Sequence, residues 1–331
     1  MFVLYVTSLY GNSGKTMLCS GLAKTWANKG KKAGFLKPLF NNNTSVKDIL
    51  FMRRLLGLEE PVEVIGPSIS VLSESANVIK QALSAISNNK DIVLIEGLPL
   101  ASSSDIIEAL DSKVLVIHDY SSPLNSALPE YKKLGSRLMG IVINKVPKRQ
   151  LARKRSQFSE ELEKRGVNLL GVLPEDRILM SMSVMDLAEA VQGKILNCPD
   201  KGEEIIENFM MGSSTFDRGP VYYNRKENKA VILWGERPGF RKAALSNLQL
   251  AAIQTSVKCM VITNNATPIP GVAQKAEEKQ IPLISAGGDI KSVISVIENS
   301  FSTLKFNQEK KVPHLLEVFG QNLNFQLLAG V

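Results

Sequence analysis

Short apolar runs recur along this chain, and each gives way to a stretch with helical spacing. The first run, Phe2 to Val6, reads as a strand. After a loop of small and polar residues, Leu18, Leu22, Ala23 and Trp26 fall at helical spacing within residues 16–28. Further strand-like runs follow at 34–38, 91–97, 113–117, 140–147 and 168–173. Residues 182–191 are amphipathic and open a second group of elements. Its apolar runs lie at 230–237, 258–263 and 281–285, separated by helical stretches at 240–255 and 271–279. A last helix is predicted over 314–321. This alternation predicts an α/β fold, a mostly parallel sheet with helices on both faces. Pro174-Glu175-Asp176 closes the first group, so the expected division is 1–180, a smaller α/β domain at 181–300, and a C-terminal tail at 301–331. The most loop-like stretches are 41–45, 197–203 and 264–270.

The richest chemistry lies between the first strand and the first helix. The segment Val6-Thr7-Ser8-Leu9-Tyr10-Gly11-Asn12-Ser13-Gly14-Lys15-Thr16 joins a strand to a helix that opens on Gly-Lys-Thr. Such a loop cradles phosphate, because its backbone N–H groups and the positive end of the helix face the anion. Lys15 can reach the β and γ phosphates, and the Thr16 hydroxyl can ligate Mg²⁺. Gly11, Asn12, Ser13, Gly14 and Met17 complete the expected nucleotide contacts. Leu9 stands where the usual loop has its first glycine. Glu96 ends the buried strand 91–97, the place from which a carboxylate holds the Mg²⁺ shell in P-loop proteins. Asp91, at the start of that strand, is expected to be merely solvated. Pro38 stops the strand at 34–38, so Lys37 emerges on the same sheet edge as the cradle.

Together these pieces resemble dethiobiotin synthetase and its relatives, over roughly residues 1–180. That family reads strand, phosphate loop, helix, strand, Lys-Pro, then a strand ending in Glu-Gly. The resemblance implies a P-loop NTPase-type sheet that binds ATP with Mg²⁺. It implies catalytic roles for Lys15 and Lys37, and Mg²⁺ ligation by Thr16, Asp48 and Glu96. It gives Asn144, at the end of the run 140–147, the place of the family's adenine-reading asparagine. Leu39-Phe40-Asn41 and Leu98-Pro99-Leu100 depart from the family's small and Gly-rich substrate loops, so its substrate is not carried over. Tyr10 occupies the place of the early loop lysine of the partition and division-site ATPases, which argues against those relatives. The second half resembles the DRTGG domain, with a degenerate signature at Gly235-Glu236-Arg237-Pro238-Gly239. A synthetase-like domain followed by a DRTGG domain is the order in the N-terminal regulatory half of long bacterial phosphate acetyltransferases. With the chain stopping at Val331, no acetyltransferase catalytic domain is expected.

Composition narrows the classes without changing this picture. Apolar residues make up 44% and charged residues 22%, ordinary values for a globular chain. No apolar stretch approaches the ~20 residues a membrane span needs. Cys19, Cys198 and Cys259 are scattered singly, which suits a reducing cytoplasm and offers no metal spacing. His118 ends an apolar run and reads as a packed histidine. The net charge of +8 raises the question of nucleic acid. The basic run from Lys145 to Arg155 is followed by Glu160, Glu161 and Glu163 and lacks interleaved aromatics, so nucleic-acid binding is not indicated. The expected partners are a nucleotide and a second copy of the chain, the dimer forming through the DRTGG-like domain. Two functions stay open. One is a nucleotide-responsive regulator, and the other an ATP-dependent ligase that phosphorylates a carboxylate or carbamate.

Overall fold

The computed structural model describes residues 1–40, 46–69, 74–212, 220–235, 242–301 and 304–328. The loop 41–45 and residues 236–239 of the degenerate DRTGG signature lie outside the described residues. The chain divides into two compact units, Met1–Leu179 with Lys305–Val331, and Met180–Leu304. Among the described residues, no helix is long and apolar enough to cross a membrane.

The first unit is built on six strands: β1 (Phe2–Ser8), β2 (Ala33–Leu36), β3 (Ile92–Pro99), β4 (Lys113–Asp119), β5 (Leu138–Val146) and β6 (Leu169–Pro174). Their order across the sheet is β2-β3-β1-β4-β5-β6, and all neighbours are parallel. Helices cover such sheets on both faces, which is why the strands read as continuous apolar runs. Leu4, Tyr5, Val6, Thr7 and Ser8 of β1 are all buried. The chain leaves β1 through α1 (Lys15–Asn28) and travels toward β2, while β4 connects onward to β5. The connections therefore diverge between β1 and β4. In open parallel sheets the ligand crevice lies at such a point, outside the carboxyl ends of the strands. A second helix, α2 (Val46–Leu56), follows β2.

The segment 301–331, expected as a tail, joins the first unit from Lys305 onward. Its helix, Val312–Asn322, seats the fully buried Phe319 against α1. A Cβ added at Gly21 would come within 2.2 Å of the Phe319 ring, so the glycine permits the close approach. Beyond the helix, Leu323 bridges antiparallel to Gly171, and Asn324 N donates to Leu170 O at 2.8 Å. This covers the exposed edge of β6. Asp176, just past β6, ties the same segment down. It accepts from Lys148 Nζ at 2.9 Å and from the backbone N–H of Ile178 and Leu179, and His314 Nε2 lies 3.0 Å away. Burial pushes the Asp176 carboxyl up, but Lys148, His314 and the backbone N–H outweigh it and hold it below its ordinary value.

The second unit carries β7 (Lys194–Ile195), β8 (Asn208–Gly212), β9 (Lys229–Leu233), β10 (Val257–Ile262) and β11 (Leu283–Ser285). The order is β7-β11-β10-β9-β8, parallel except for the antiparallel edge strand β7. Alternate residues of each strand feed two apolar clusters on opposite faces. Ile232, Val261 and Ile284 pack with Leu187, Ile290 and Val293, while Val231, Met260 and Leu283 pack with Tyr223 and Ile253. Ser183 and Asp186 form a reciprocal capping box at the start of the helix Val184–Ala190.

Two outcomes are expected from the C-terminal contacts. In a Trp234→Phe background, Trp26 alone reports the first unit. Phe319→Ala should then lower its stability to denaturant by about 3–5 kcal/mol, as loss of a buried aromatic does. The depressed Asp176 carboxyl stabilises the fold above its unfolded value, near about 3.9, and that contribution disappears as pH falls through the folded value. Asp176→Asn should therefore be less stable than wild type at pH 7 and should lose less stability between pH 6 and pH 3.

Candidate functional site

The loop after β1 is fixed by its own hydroxyls. Ser8 Oγ and Ser13 Oγ both donate to Tyr10 O, at 2.6 and 3.0 Å. The left-handed turns fall at Asn12 (φ 55°) and Gly14 (φ 102°). Leu9 is not among the left-handed residues and packs half-buried against the core, so the missing first glycine imposes no backbone strain. Gly14 is required twice over: by its φ, and because a Cβ there would sit 2.5 Å from Asn144 Nδ2. That amide donates to Ser13 O at 2.9 Å. The next residue, Lys145, donates from Nζ to Asn12 O at 2.8 Å and to Asp119 Oδ2 at 2.6 Å. Successive strand residues normally point to opposite faces. Lys145 has a left-handed φ of 63°, which breaks that alternation and lets both side chains reach one loop.

α1 opens directly behind this loop. The N–H groups of Lys15, Thr16 and Met17 have no intrahelical acceptor by helix geometry, and they carry the positive end of the helix. The Met17 side chain is buried in the core, so only its backbone faces the cradle. Gly11 and Asn12 are exposed at the loop tip.

Beneath the loop the structure gathers four of the residues singled out from the sequence. Lys37 Nζ, just after β2, lies 2.5 Å from Asp48 Oδ2 in the first turn of α2 and 2.7 Å from Glu96 Oε1 on β3. It is 3.4 Å from Thr16 Oγ1, whose hydroxyl donates to Glu96 Oε1 at 2.8 Å. Lys15 Nζ donates to Ser8 Oγ at 3.2 Å. Asp48 is 1% and Glu96 6% exposed, yet among the described residues Asp48 Oδ1 and Glu96 Oε2 have no hydrogen-bond partner. Burial alone would lower the pKa of Lys37, but Glu96 and Asp48 together outweigh it and hold the ammonium above its ordinary value. Lys15 goes the other way. Burial lowers its pKa, Glu96 opposes the shift, and the Lys37 charge adds to it. Cys19 lies fully buried close by, and burial, reinforced by Glu96, keeps its thiol protonated.

Hydroxyl and carboxylate oxygens are the hard donors that Mg²⁺ prefers. The Asp48 and Glu96 carboxylates, each with one oxygen unpartnered among the described residues, and the Thr16 hydroxyl could serve such an ion, so the set fits. Among the described residues, no group of three or more His, Cys, Asp or Glu side chains could hold a metal. A divalent ion at Thr16, Asp48 and Glu96 would complete its shell from phosphate and water, as Mg²⁺ commonly does.

Three features escaped the sequence reading. Ser8 and the Asp119–Lys145 pair support the loop, and the only sequence signal was Asn-Lys at a strand end. The segment after Glu96 is also fastened to the core. Leu98 O accepts from Thr7 Oγ1 at 2.6 Å and Ser103 Oγ at 3.1 Å, and Leu98 N donates to Tyr5 OH at 3.0 Å. Burial pushes the Tyr5 hydroxyl up to about 12, so it stays a neutral donor and acceptor. His118 is packed as expected, with Nδ1 2.9 Å from Tyr131 OH, and burial lowers its pKa. Asp91 does more than face solvent, since its Oδ2 accepts from Lys32 N at 2.8 Å.

Glu96→Ala should leave Lys37 with Asp48 as its one remaining carboxylate. Breaking a buried ion pair typically costs about 3–5 kcal/mol. A fall of that size in the denaturant stability of the first unit is expected, and a change within error would mean that the charges are not coupled.

A phosphate acetyltransferase from Synechocystis sp. is 18% identical over 359 aligned positions, which cover 98% of this chain and 51% of the relative. The chain thus spans about half the length of that protein. Among solved structures, cell division protein FtsY from Thermotoga maritima has a TM-score of 0.40 at 17% identity, covering 53% of this chain and 62% of its own. Cobyrinic acid a,c-diamide synthase from Mycobacterium smegmatis, solved with ADP and magnesium, has a TM-score of 0.36 at 14% identity, covering 54% and 88%. The family model described as AAA domain matches residues 3–183, more than half of the chain, and the DRTGG domain model matches residues 186–300. The chain therefore belongs to the AAA domain family and carries a DRTGG domain behind its P-loop region.

Proposed function

We propose that the first unit binds ATP or ADP with Mg²⁺ and that the chain works as a nucleotide-responsive regulator. The observation that carries the nucleotide reading is the buried set of Lys37, Asp48 and Glu96, with half-buried Thr16, directly beneath the loop after β1 that leads into Lys15. In this reading Ser8 to Thr16 wrap the phosphates and Lys15 contacts them. Thr16, Asp48 and Glu96 hold the metal, which would neutralise phosphate charge when bound. Asn144 would touch the base through its carbonyl oxygen or its second amide N–H, because one N–H is committed to Ser13 O.

The regulatory part rests on what surrounds the phosphates. A ligase needs backbone or side-chain groups free to hold an acceptor beside the γ phosphate. Here Leu98, in the segment after Glu96, commits its backbone N–H to Tyr5 and its carbonyl to Thr7 and Ser103. The order of the two domains supports a role like that of the regulatory half of a phosphate acetyltransferase, with the second unit as the site of self-association. The ligase reading keeps one observation in its favour. Lys37 stands next to Thr16, where an ammonium could stabilise a migrating phosphoryl group.

Lys15→Ala should weaken Mg·ATP binding by roughly 1.5–3 kcal/mol, the loss of one charge-assisted contact. Calorimetric titration of the full chain checks this, and equal affinities would remove Lys15 from the site. Steady-state phosphate release separates the two functions. Tight binding with negligible turnover, alone or with added carboxylates, supports the regulator. Acceptor-dependent turnover that falls in Lys37→Ala much more than ATP affinity does would establish the ligase.

A further inference from the structure

The same ammonium that pairs with the two carboxylates stands where a metal ion would have to be. Lys37 Nζ has three N–H donors and three oxygens around it: Asp48 Oδ2 at 2.5 Å, Glu96 Oε1 at 2.7 Å and Thr16 Oγ1 at 3.4 Å. These belong to the three side chains whose chemistry suits Mg²⁺. A divalent ion would draw the same oxygens to about 2.0–2.1 Å, leaving no room for an ammonium at the centre. Two like charges that close, in a site 1–8% exposed at Asp48, Glu96 and Lys37, repel strongly. Among the described residues, Asp48 Oδ1 and Glu96 Oε2 remain buried and unpartnered. The ammonium therefore satisfies only two of the four carboxylate oxygens. The Lys37 stem is flexible, and Thr16, which its ammonium approaches, is the neighbour of Lys15 on the phosphate loop.

We propose that Lys37 is a built-in competitor for the metal: the Thr16–Asp48–Glu96 oxygens accept a divalent ion only when Lys37 has been drawn away to another anion, the phosphate of a bound nucleotide. This deepens the nucleotide reading and, in its second half, rests on it. Free divalent ions then do not load the site. Metal and nucleotide enter together, because each relieves the other's electrostatic penalty. Without nucleotide the ammonium also keeps two buried carboxylates from facing each other unpaired.

The test uses Mn²⁺ without nucleotide, read by the loss of the free-ion electron paramagnetic resonance signal and by thermal unfolding. Mn²⁺ accepts the same oxygen donors. Wild type, Lys37→Met and Lys37→Met/Asp48→Asn full-length chains are compared. Lys37→Met should bind Mn²⁺ more than about tenfold tighter than wild type, since a unit charge within a few ångströms has been removed. Its melting temperature should rise with Mn²⁺ while that of wild type stays put, and Asp48→Asn should abolish both effects. Equal Mn²⁺ affinity in wild type and Lys37→Met, or no binding by either, would overturn the proposal. If Lys37→Met does not fold without metal, refolding on addition of Mn²⁺ supports it, and a chain that stays unfolded in Mn²⁺ overturns it. No nucleotide is present, so a negative result leaves the nucleotide reading intact. A failure of wild type to bind Mg·ATP would, conversely, not alter the Mn²⁺ comparison.

Discussion

One buried ammonium between two buried carboxylates organises the first unit of this protein. Lys37, Asp48 and Glu96 come from β2, α2 and β3, and Thr16 brings in α1. Isolated charges at such depth would each cost several kcal/mol. Met in one place, they offset one another only if all four elements keep their relative positions. The pairing therefore works as a register pin for the carboxyl end of the sheet. It also leaves two carboxylate oxygens unsatisfied among the described residues, the kind of imperfection a structure retains where a ligand supplies what is missing.

The phosphate loop is pinned from the opposite side. Asn144 and Lys145 hold successive loop carbonyls, with Asp119 anchoring the lysine. Strands β3 and β5 thus grip the loop region from either side of β1 and β4, at the point where the chain connections diverge. A loop preorganised in this way has less entropy to lose when an anion arrives. The C-terminal segment does comparable work at the sheet's margin. Leu323 closes the edge of β6, Phe319 packs on α1, and Asp176 joins that segment to the end of the strand.

Much of this was legible in the sequence because the sheet is parallel and buried on both faces. Its strands announce themselves as continuous apolar runs, and each run ends where chemistry begins. Lys15, Lys37 and Glu96 could be placed at element ends from pattern, and Asp48 through the family resemblance; the structure brings Asp48 and Glu96 into direct contact with the Lys37 ammonium. Other features depend on long-range contacts that no local pattern encodes. A lysine after a strand reads as a surface charge, and the left-handed turn at Lys145 that redirects it leaves no compositional mark. The fit of Phe319 over Gly21 joins residues from opposite ends of the chain, so residues 301–331 read as a tail whose docking place, on the body or on a partner, stayed open. The hydroxyl bonds that fasten Leu98 come from Thr7 and Ser103, residues that would pass unnoticed in a loop.

Hydrogen–deuterium exchange of the full chain, with and without Mg·ATP, tests the central claim most directly. Nucleotide held at the phosphate loop should slow exchange across residues 8–18 and at the start of α2, with smaller effects at the end of β5. Unchanged exchange in those segments at saturating Mg·ATP, or protection confined to residues 180–304, would contradict it.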